Sequence, residues 1–298
     1  MLKVPAKRHR VIINTDAKNE ADDQYAIVHA VLTPSFELHG FIAAHFGTLK
    51  SATSMQDSRK EIDLCLDLMD LGGKIRVENG ATHAIVDDRT AQPSAGAELI
   101  IAEAMKEDPR PLHIAFLGPL TDMASALLME PRIASRSIRV VWIGGGRWPV
   151  GGPEYNLSND IDAANVVMRS GLEIWMIPQP VYRHMPVSYA ELMVKVYEKG
   201  RIGKYLVDQL VEWNERMVQV PIEHRSLGDS PAVGLIMYPE CGFWSHHPAP
   251  GFSRDMNYIH PGTNKPVKLY ESIDCRFIHE DFFAKLDLYA RGKLSIPF

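Results

Sequence analysis

Four acidic residues lie close together near the start of the chain: Asp16, Glu20, Asp22 and Asp23. They follow an apolar run at 11–13 and precede a helical pattern of apolar residues, so they occupy a predicted strand-to-helix turn. Carboxylates this close repel one another, which raises their pKa values and destabilises the fold unless a positive charge neutralises them. Calcium and magnesium prefer oxygen ligands, and calcium accepts carboxylates, backbone carbonyls and sugar hydroxyls in one shell. The turn therefore predicts a bound hard cation.

A second interpretation of the acidic turn needs no ligand. Asp22 and Asp23 would occupy the first turn of a helix, where the helix dipole stabilises negative side chains. The position of the cluster favours the ligand site instead. In open α/β sheets, ligands bind just beyond the carboxyl ends of the strands, and the run at 11–14 would be such a strand.

The composition indicates a globular protein and excludes several classes of function. The chain has 298 residues, of which 46% are hydrophobic and 23% charged, enough for one large α/β domain or two small ones. A net charge of −5 and scattered basic residues argue against nucleic-acid binding. No apolar stretch approaches about 18 residues, so neither a membrane span nor a signal peptide is expected. The three cysteines, Cys65, Cys241 and Cys275, are far apart and indicate reduced thiols in a cytoplasmic protein.

Apolar runs alternate with helical patterns along the whole chain, which predicts an α/β fold. We expect one domain over residues 1–298, with an open, mostly parallel sheet flanked by helices and a Rossmann-like core, because no segment has the composition of a linker. The polar segment 87–94 has no periodicity and predicts a mobile loop that could cover the site. The strands are expected at 11–14, 36–44, 74–78, 113–117, 138–143, 172–178, 257–260 and 267–272, and the last helix at 280–290.

The acidic turn resembles the N-terminal signature of the inosine-uridine-preferring nucleoside hydrolases, Asp-Thr-Asp-Pro-Gly-x-Asp-Asp. Asn14 stands in place of the first Asp, and Asp16 to Asp22 spans six positions where the family has four. The run Gly-Pro-Leu-Thr-Asp at 118–122 is similar to the family's Gly-Pro-Leu-Thr-Asn, with Asp122 in place of the Asn.

Two further segments resemble the same family. Gly-Asp-Ser-Pro-Ala-Val at 228–233 is similar to the family's His-Asp-Pro-x-Ala-Val, with Gly228 in place of the His. Glu154-Tyr155-Asn156 is similar to the family's Glu-Phe-Asn, whose Glu and Asn hold the ribose hydroxyls. On an extended segment a carboxylate and an amide two residues apart face the same side, so both can reach one sugar. The matches cover nearly the whole chain in the family's order.

The resemblance implies a Ca²⁺ site that grips two vicinal ribose hydroxyls and positions a water, with Asp16 as the general base. The implied metal ligands are Asp16, Asp23, Asp229 and the backbone carbonyl of Leu117. The expected substrate contacts are Asp22, His45, His83, Glu154 and Asn156. With no His at 228, assistance to the departing base is assigned to His224. Arg225 and the pair His246-His247, which is expected on the following loop, are the alternatives.

The expected function is hydrolysis of the N-glycosidic bond of a small-molecule ribonucleoside or related N-riboside. By resemblance the enzyme is also expected to be a homo-oligomer, a dimer or a tetramer. A nucleoside- or carbohydrate-binding homologue with weak or no turnover is the alternative. A metal-dependent phosphatase of the Asp-x-Asp type is a third hypothesis, but its nucleophile would fall on Asn14, and an amide cannot take that role.

Overall fold

The protein is described from a computed structural model that covers residues 8–217, 219–294 and 296. Strands and helices alternate over most of this length. The strands, in chain order, are β1 (His9–Thr15), β2 (Phe36–Ala43), β3 (Val77–Asn79), β4 (Leu112–Phe116), β5 (Ile138–Ile143), β6 (Glu173–Ile177), β7 (Pro186–Ser188), β8 (His224–Ser226), β9 (Gly242–Pro248), β10 (Gly251–Phe252), β11 (Tyr258–Ile259) and β12 (Pro266–Ile273).

The helices lie on both faces of the sheet. They are α1 (Asp23–Val31), α2 (Ser54–Leu68), α3 (Ala95–Ala104), α4 (Thr121–Met129), α5 (Tyr155–Asn159), α6 (Ile161–Arg169), α7 (Gln179–Tyr182), α8 (Tyr189–Leu192), α9 (Gly200–Met217), α10 (Ser230–Met237) and α11 (Cys275–Ala290). A 3-10 turn spans Pro131–Ser135 and a π-helical turn spans Met193–Tyr197. In the part of the chain that is described, no helix has the length and apolar character that a membrane crossing requires.

Eight strands form the central sheet in the order β3-β2-β1-β4-β5-β6-β12-β9. All neighbours pair in parallel except β9, which runs antiparallel to β12 at the edge. The mostly parallel α/β sheet flanked by helices is therefore confirmed. The packing of β1 explains its continuously apolar sequence, because Val11 and Ile13 pack into one helical layer and Ile12 packs into the other. A strand covered on both faces needs apolar residues on both.

The strand order places a crevice between β1 and β4. The chain moves outward from β1 through β2 to β3, then returns to β4 on the other side of β1 and continues in the opposite direction. Ligands of doubly wound sheets bind at such a switch point, beyond the carboxyl ends of the two strands. Asn14 of β1 pairs with Phe116 of β4, so Asp16 and the Leu117 carbonyl follow the strand ends on either side of this crevice.

Three local expectations were wrong. Residues 154–156 are not extended, because the Glu154 carboxylate accepts hydrogen bonds from the backbone N–H groups of Asn156 (3.1 Å) and Leu157 (2.9 Å) and caps α5. The last helix begins at Cys275 rather than at position 280, because Asp274 caps it through the N–H of Phe277. His246 and His247 lie in β9 rather than in a loop.

Candidate active site

A cavity of about 430 Å³ opens at the crevice between β1 and β4. Its volume is within the range of small-molecule sites, roughly 300–1,000 Å³. Acidic residues line its floor, and aromatic and basic residues line its rim. The lining consists of Asp16, Asn19, Glu20, Asp22, Asp23, Leu117, Ile143, Glu154, Tyr155, Asn156, Gln179, Tyr182, Arg183, Pro186, Ile222, His224, Arg225, Ser226, Gly228 and Asp229.

Three carboxylates form a compact cluster on the cavity floor. Asp22, Asp23 and Asp229 each offer an oxygen, and these oxygens lie within 4.8 Å of one another. Asp229 stands at the N-cap position of α10, more than two hundred residues beyond the other two, so the fold brings together the acids that the sequence motifs predicted. Asp16 lines the same cavity but is not part of this tightest group.

The four buried acids disfavour one another's ionisation. Burial first, and then the charge of Asp22, raises the pKa of Asp23 to about 8. Burial and the neighbouring Glu20 raise the pKa of Asp22 to about 6, although the Arg225 guanidinium opposes them. Burial and the nearby Asp23 raise the pKa values of both Asp16 and Asp229 well above the ordinary range. The folded chain therefore holds more negative charge here than it can stabilise alone.

The donor set fits a hard divalent cation. Within residues 8–217, 219–294 and 296, no Lys or Arg forms a salt bridge with Asp16, Asp22, Asp23 or Asp229. The Oδ2 atom of Asp16 is buried and finds no hydrogen-bond partner in the same ranges. A buried carboxylate oxygen without a donor is costly unless a cation meets it. All the available ligands are oxygens, which calcium and magnesium prefer over nitrogen and sulfur.

Side chains from α1, α9 and the segment after β2 hold the acidic loop in shape. Gln24 donates to the carbonyl of Ala17 (2.7 Å), and Gln209 donates to the carbonyl of Ala21 (2.8 Å). Lys50 donates to the Asn19 Oδ1 at 2.5 Å and lies over the Tyr155 ring. The loop from Asp16 to Asp22, which is two residues longer than in the family motif, is therefore held by hydrogen bonds from neighbouring side chains.

The opposite wall of the crevice is built from the end of β4. A Cβ atom added at Gly118 would lie 2.8 Å from the Asp16 Cγ, so only glycine lets the two strand ends approach this closely. The Asn156 amide donates to the carbonyls of Leu117 (2.7 Å) and Ile143 (2.8 Å). Both Asn156 amide hydrogens are used in this way, which leaves its Oδ1 as the group available to a ligand.

The Glu154 carboxylate is fully occupied by donors. Besides the two N–H groups of α5, it accepts from the N–H of Gly145 (2.9 Å) and from the hydroxyl of Tyr182 (2.8 Å). A carboxylate offers about four acceptor sites, and three of these four donors are backbone groups that cannot turn away. A sugar hydroxyl that binds Glu154 must therefore compete with the Tyr182 hydroxyl.

Tyr182 also explains the glycine at position 228. A Cβ atom at Gly228 would lie 3.1 Å from the Tyr182 ring and 3.3 Å from the Asp22 Oδ2. The Tyr182 ring thus borders the space that a side chain at 228 would enter. Sequence reasoning missed Tyr182, although its place just beyond the carboxyl end of β6 and the loss of the family's His together give a usable signal.

The predicted histidines occupy three different environments. His224, the first residue of β8, is exposed and lines the cavity. His45 is buried and accepts from the N–H of Gly47, so its Nε2 carries the proton and donates to the Thr121 hydroxyl at 2.8 Å. Burial lowers the pKa of His45 to about 4. His83 is exposed, and its ring meets the carbonyl of its neighbour, Ala84.

Neither His45 nor His83 lines the cavity, and the structure does not bring either of them to the acid cluster. The segment 87–94 also lies outside the lining, so the expectation that it covers the site is not met. The structure thus joins Asp16, Asp22, Asp23, Leu117, Glu154, Asn156, His224 and Asp229 in one cavity.

Comparison with known proteins agrees with this geometry. The inosine-uridine-preferring nucleoside hydrolase family matches residues 11–244, so the chain belongs to that family. The non-specific ribonucleoside hydrolase RihC of Salmonella paratyphi B is 28% identical over 247 residues, 77% of this chain and 79% of that protein. Uridine nucleosidase 1 of Arabidopsis thaliana is 27% identical over 230 residues, which are 69% of this chain and 66% of that protein.

Solved structures share the fold over almost the full length. The purine-preferring ribonucleoside hydrolase from Gardnerella vaginalis superposes with a TM-score of 0.78, covering 96% of this chain and all of that one, at 20% identity. The inosine-guanosine nucleoside hydrolase gives a TM-score of 0.73 at 19% identity over 94% of this chain and 99% of that one. At these identities the superpositions establish the architecture.

Proposed function

We propose that this chain hydrolyses the N-glycosidic bond of ribonucleosides or closely related N-ribosides. One observation carries the proposal: four buried carboxylates from both ends of the chain face one cavity, at the switch point of the sheet, with no salt bridge to any of them from the described residues. Family membership supports the same chemistry. Its relatives bear names for activity on uridine and on ribonucleosides in general.

The acids suit the charge that develops in this reaction. N-glycosidic cleavage passes through an oxocarbenium-like transition state, in which positive charge appears on the sugar. Carboxylates fixed around the sugar stabilise that charge without having to reorganise. We assign Asp22 to a sugar hydroxyl, and the Asn156 Oδ1 and Glu154 to the far side of the ring.

Asp16, Asp23, Asp229 and the Leu117 carbonyl are the residues that we expect to hold a divalent cation, with calcium as the proposed ion. Bound there, calcium would supply sugar-hydroxyl coordination and would orient and acidify a water. Asp16 is assigned as the general base that would take the proton of the attacking water, because it lines the cavity and no Lys or Arg of the described residues pairs with it.

The leaving base departs towards the rim of the cavity. His224 is assigned as the proton donor, since it is exposed at the rim. Arg225 lies beside it, pairs with Glu20 and stacks on the Trp213 ring at 4.1 Å. A guanidinium stays protonated at all working pH values, so Arg225 can stabilise a departing anion but cannot supply its proton.

A panel of nucleosides tests the proposal directly. The protein, supplied with calcium, is incubated with uridine, cytidine, inosine, adenosine and guanosine, and free ribose is measured as reducing sugar. We expect ribose from at least one nucleoside and loss of that product in Asp16→Asn. A rise in the melting temperature with nucleoside but no ribose from any of the five would instead establish a binding protein.

The proposal also includes a homo-oligomeric, cytoplasmic enzyme, as its family resemblance and reduced cysteines suggest. Light scattering coupled to gel filtration measures the first property. A mass of two or four chains is expected, and a mass of one chain at all concentrations would contradict it.

A further inference from the structure

Two departures from the family's sequence motifs touch each other in space. Asn14 stands where the motif has Asp, and Asp122 stands where the second motif has Asn. The Asn14 Nδ2 donates to the Asp122 Oδ2 at 2.8 Å across 108 positions of sequence. Both side chains are buried. The contact therefore contains one amide and one carboxylate, at positions exchanged relative to the two motifs.

The surroundings of Asp122 explain why the two positions must change together. Its Oδ1 accepts from the N–H of Ala81 (2.9 Å) and from the Ser94 hydroxyl (2.6 Å). A Cβ atom at Gly80 would lie 2.5 Å from the Asp122 Oδ2, so the carboxylate has little room to turn. The Oδ1 is thus committed to two donors, and only the second atom of the side chain faces position 14.

The side-chain atom of residue 122 that faces Asn14 determines which residue fits at position 14. With Asp at 122 this atom is Oδ2, an acceptor, and it requires the donor that Asn14 provides. With Asn at 122 it would be an amide donor, and it would require an acceptor at 14. Asn14→Asp alone therefore leaves two acceptors face to face in a buried contact. Asp122→Asn alone either leaves two donors face to face or turns the Asn14 amide over, which directs the Asn14 Nδ2 to the place where its Oδ1 has no partner in the described residues.

The contact lies directly behind the acidic floor of the cavity. Asn14 is two residues before Asp16, and its carbonyl accepts from the N–H of Leu117 at 2.9 Å. Through Asp122 the same residue is tied to the first turn of α4, the Gly80-Ala81 turn and the N-cap of α3. The Asn14 backbone thus joins the ends of β1 and β4, which precede two of the groups assigned to the cation, and the Asn14–Asp122 contact fixes this junction to α4.

We propose that Asn14 and Asp122 are a coupled pair of positioning residues for the cavity floor, and that this chain keeps the interaction with donor and acceptor exchanged. The consequence for catalysis rests on the proposed function, whereas the coupling itself does not. Residues behind ligating groups typically change metal affinity or activity by about 10- to 100-fold when they are altered.

A double-mutant cycle tests the pair with Asn14→Asp, Asp122→Asn and the combined variant. Three quantities are measured: melting temperature, its rise on addition of calcium, and kcat/KM at 25 °C on a nucleoside that the parent cleaves. We expect Asn14→Asp to lower kcat/KM by about 10- to 100-fold, mainly through kcat, and to weaken the calcium response. The combined variant should return to within about threefold of the parent.

A matched control keeps the result specific. Asp281→Asn removes a half-buried carboxylate elsewhere and should lower the melting temperature without changing kcat/KM, and Asn14→Asp should not rescue it. Additive losses in the combined variant would overturn the proposal. Rescue of the melting temperature alone, with kcat and the calcium response unchanged in the single variants, would overturn the positioning role. A parent that cleaves no nucleoside would refute the proposed function, while the melting temperature and calcium response would still decide the coupling.

Discussion

The helix α1 carries a buried titratable group near each end, and the two groups have different charged neighbours. Towards its end, the His29 Nε2 meets the Asp281 Oδ2 at 2.7 Å, and Lys285 meets the same carboxylate at 2.5 Å. At its start, Asp23 receives a hydrogen bond from the Thr15 hydroxyl at 2.5 Å and otherwise faces other acids. The half-buried Asp281 therefore has a cationic side chain, Lys285, beside it. The buried Asp23 has carboxylates beside it.

The pKa values of the two acids follow from these neighbours. Burial acts to raise both, but His29 and Lys285 hold the pKa of Asp281 below its ordinary value. Burial and Asp22 instead raise the pKa of Asp23 to about 8. Side chains of the chain itself therefore neutralise Asp281. The acids of the cavity instead need a positive charge that the chain does not provide.

The largest expected effect comes from neutralising Asp23. Asp23→Asn should lower kcat/KM by about 10³-fold, because an anionic ligand becomes a neutral amide and part of the stabilising charge is lost. The same variant should raise the melting temperature in EDTA at pH 8.5, because the repulsion between buried carboxylates falls. Asp281→Asn serves as the matched control, with a lower melting temperature and kcat/KM within about threefold of the parent. The proposed difference between Asp23 and Asp281 would be wrong if both variants lost stability and activity together.

The pH dependence of stability should have opposite signs in the two regions. The folded pKa values of Asp22 and Asp23, about 6 and about 8, exceed the unfolded value near 4, so the folded state binds more protons between these limits. Their contribution to stability is therefore lost as pH rises towards 8. His29, whose pKa burial lowers to about 4, contributes stability that grows as pH rises from about 4 to 6.5.

Melting curves in EDTA between pH 6.5 and 8.5 exclude the His29 contribution, which is complete there, and comparison with Asp23→Asn gives the share of the cavity acids. We expect the melting temperature of the parent to fall across this window, and we expect Asp23→Asn to reduce the fall. A melting temperature that is flat or rises with pH would show that the acids are not coupled in the way described.

Glu154 is a buried acid that is stabilised in a third way, by hydrogen bonds alone. Tyr182→Phe removes its one side-chain donor, which should lower the free energy of unfolding by about 1–2 kcal/mol. It should also lower KM for the nucleoside, because a sugar hydroxyl no longer competes for the carboxylate. Urea unfolding and steady-state kinetics measure the two effects. An increased KM would indicate instead that the Tyr182 hydroxyl binds the substrate itself.

The smallest expected effect is at His83. His83→Ala should leave kcat/KM and the melting temperature unchanged within error, since the side chain is exposed and lies outside the cavity. Loss of activity in this variant would return His83 to the substrate site.

Much of the architecture was accessible from the sequence. The apolar strand at 11–14, the acidic turn and the glycine at 118 have local signatures, and the topology of a parallel sheet brings such strand ends together. Asp229 could be assigned to the same place only through its motif, because no local pattern reports a contact across two hundred residues.

The errors have physical causes as well. An alternating pattern predicts an extended segment at Glu154, but a carboxylate at this position can also N-cap a helix, as it does for α5. His45 lies at the expected strand end but turns into the core, where the Thr121 hydroxyl satisfies it. The Asn14–Asp122 contact appeared as two unrelated substitutions, since only the fold shows that they touch.

The central claim is that the acids of the cavity bind one divalent cation and that cleavage of the N-riboside requires this cation. The direct measurement is the rate of ribose release by EDTA-treated, dialysed protein as calcium is added back in counted equivalents. The account predicts almost no release without calcium and a rise that saturates at one ion per chain. Undiminished release in excess EDTA would contradict it.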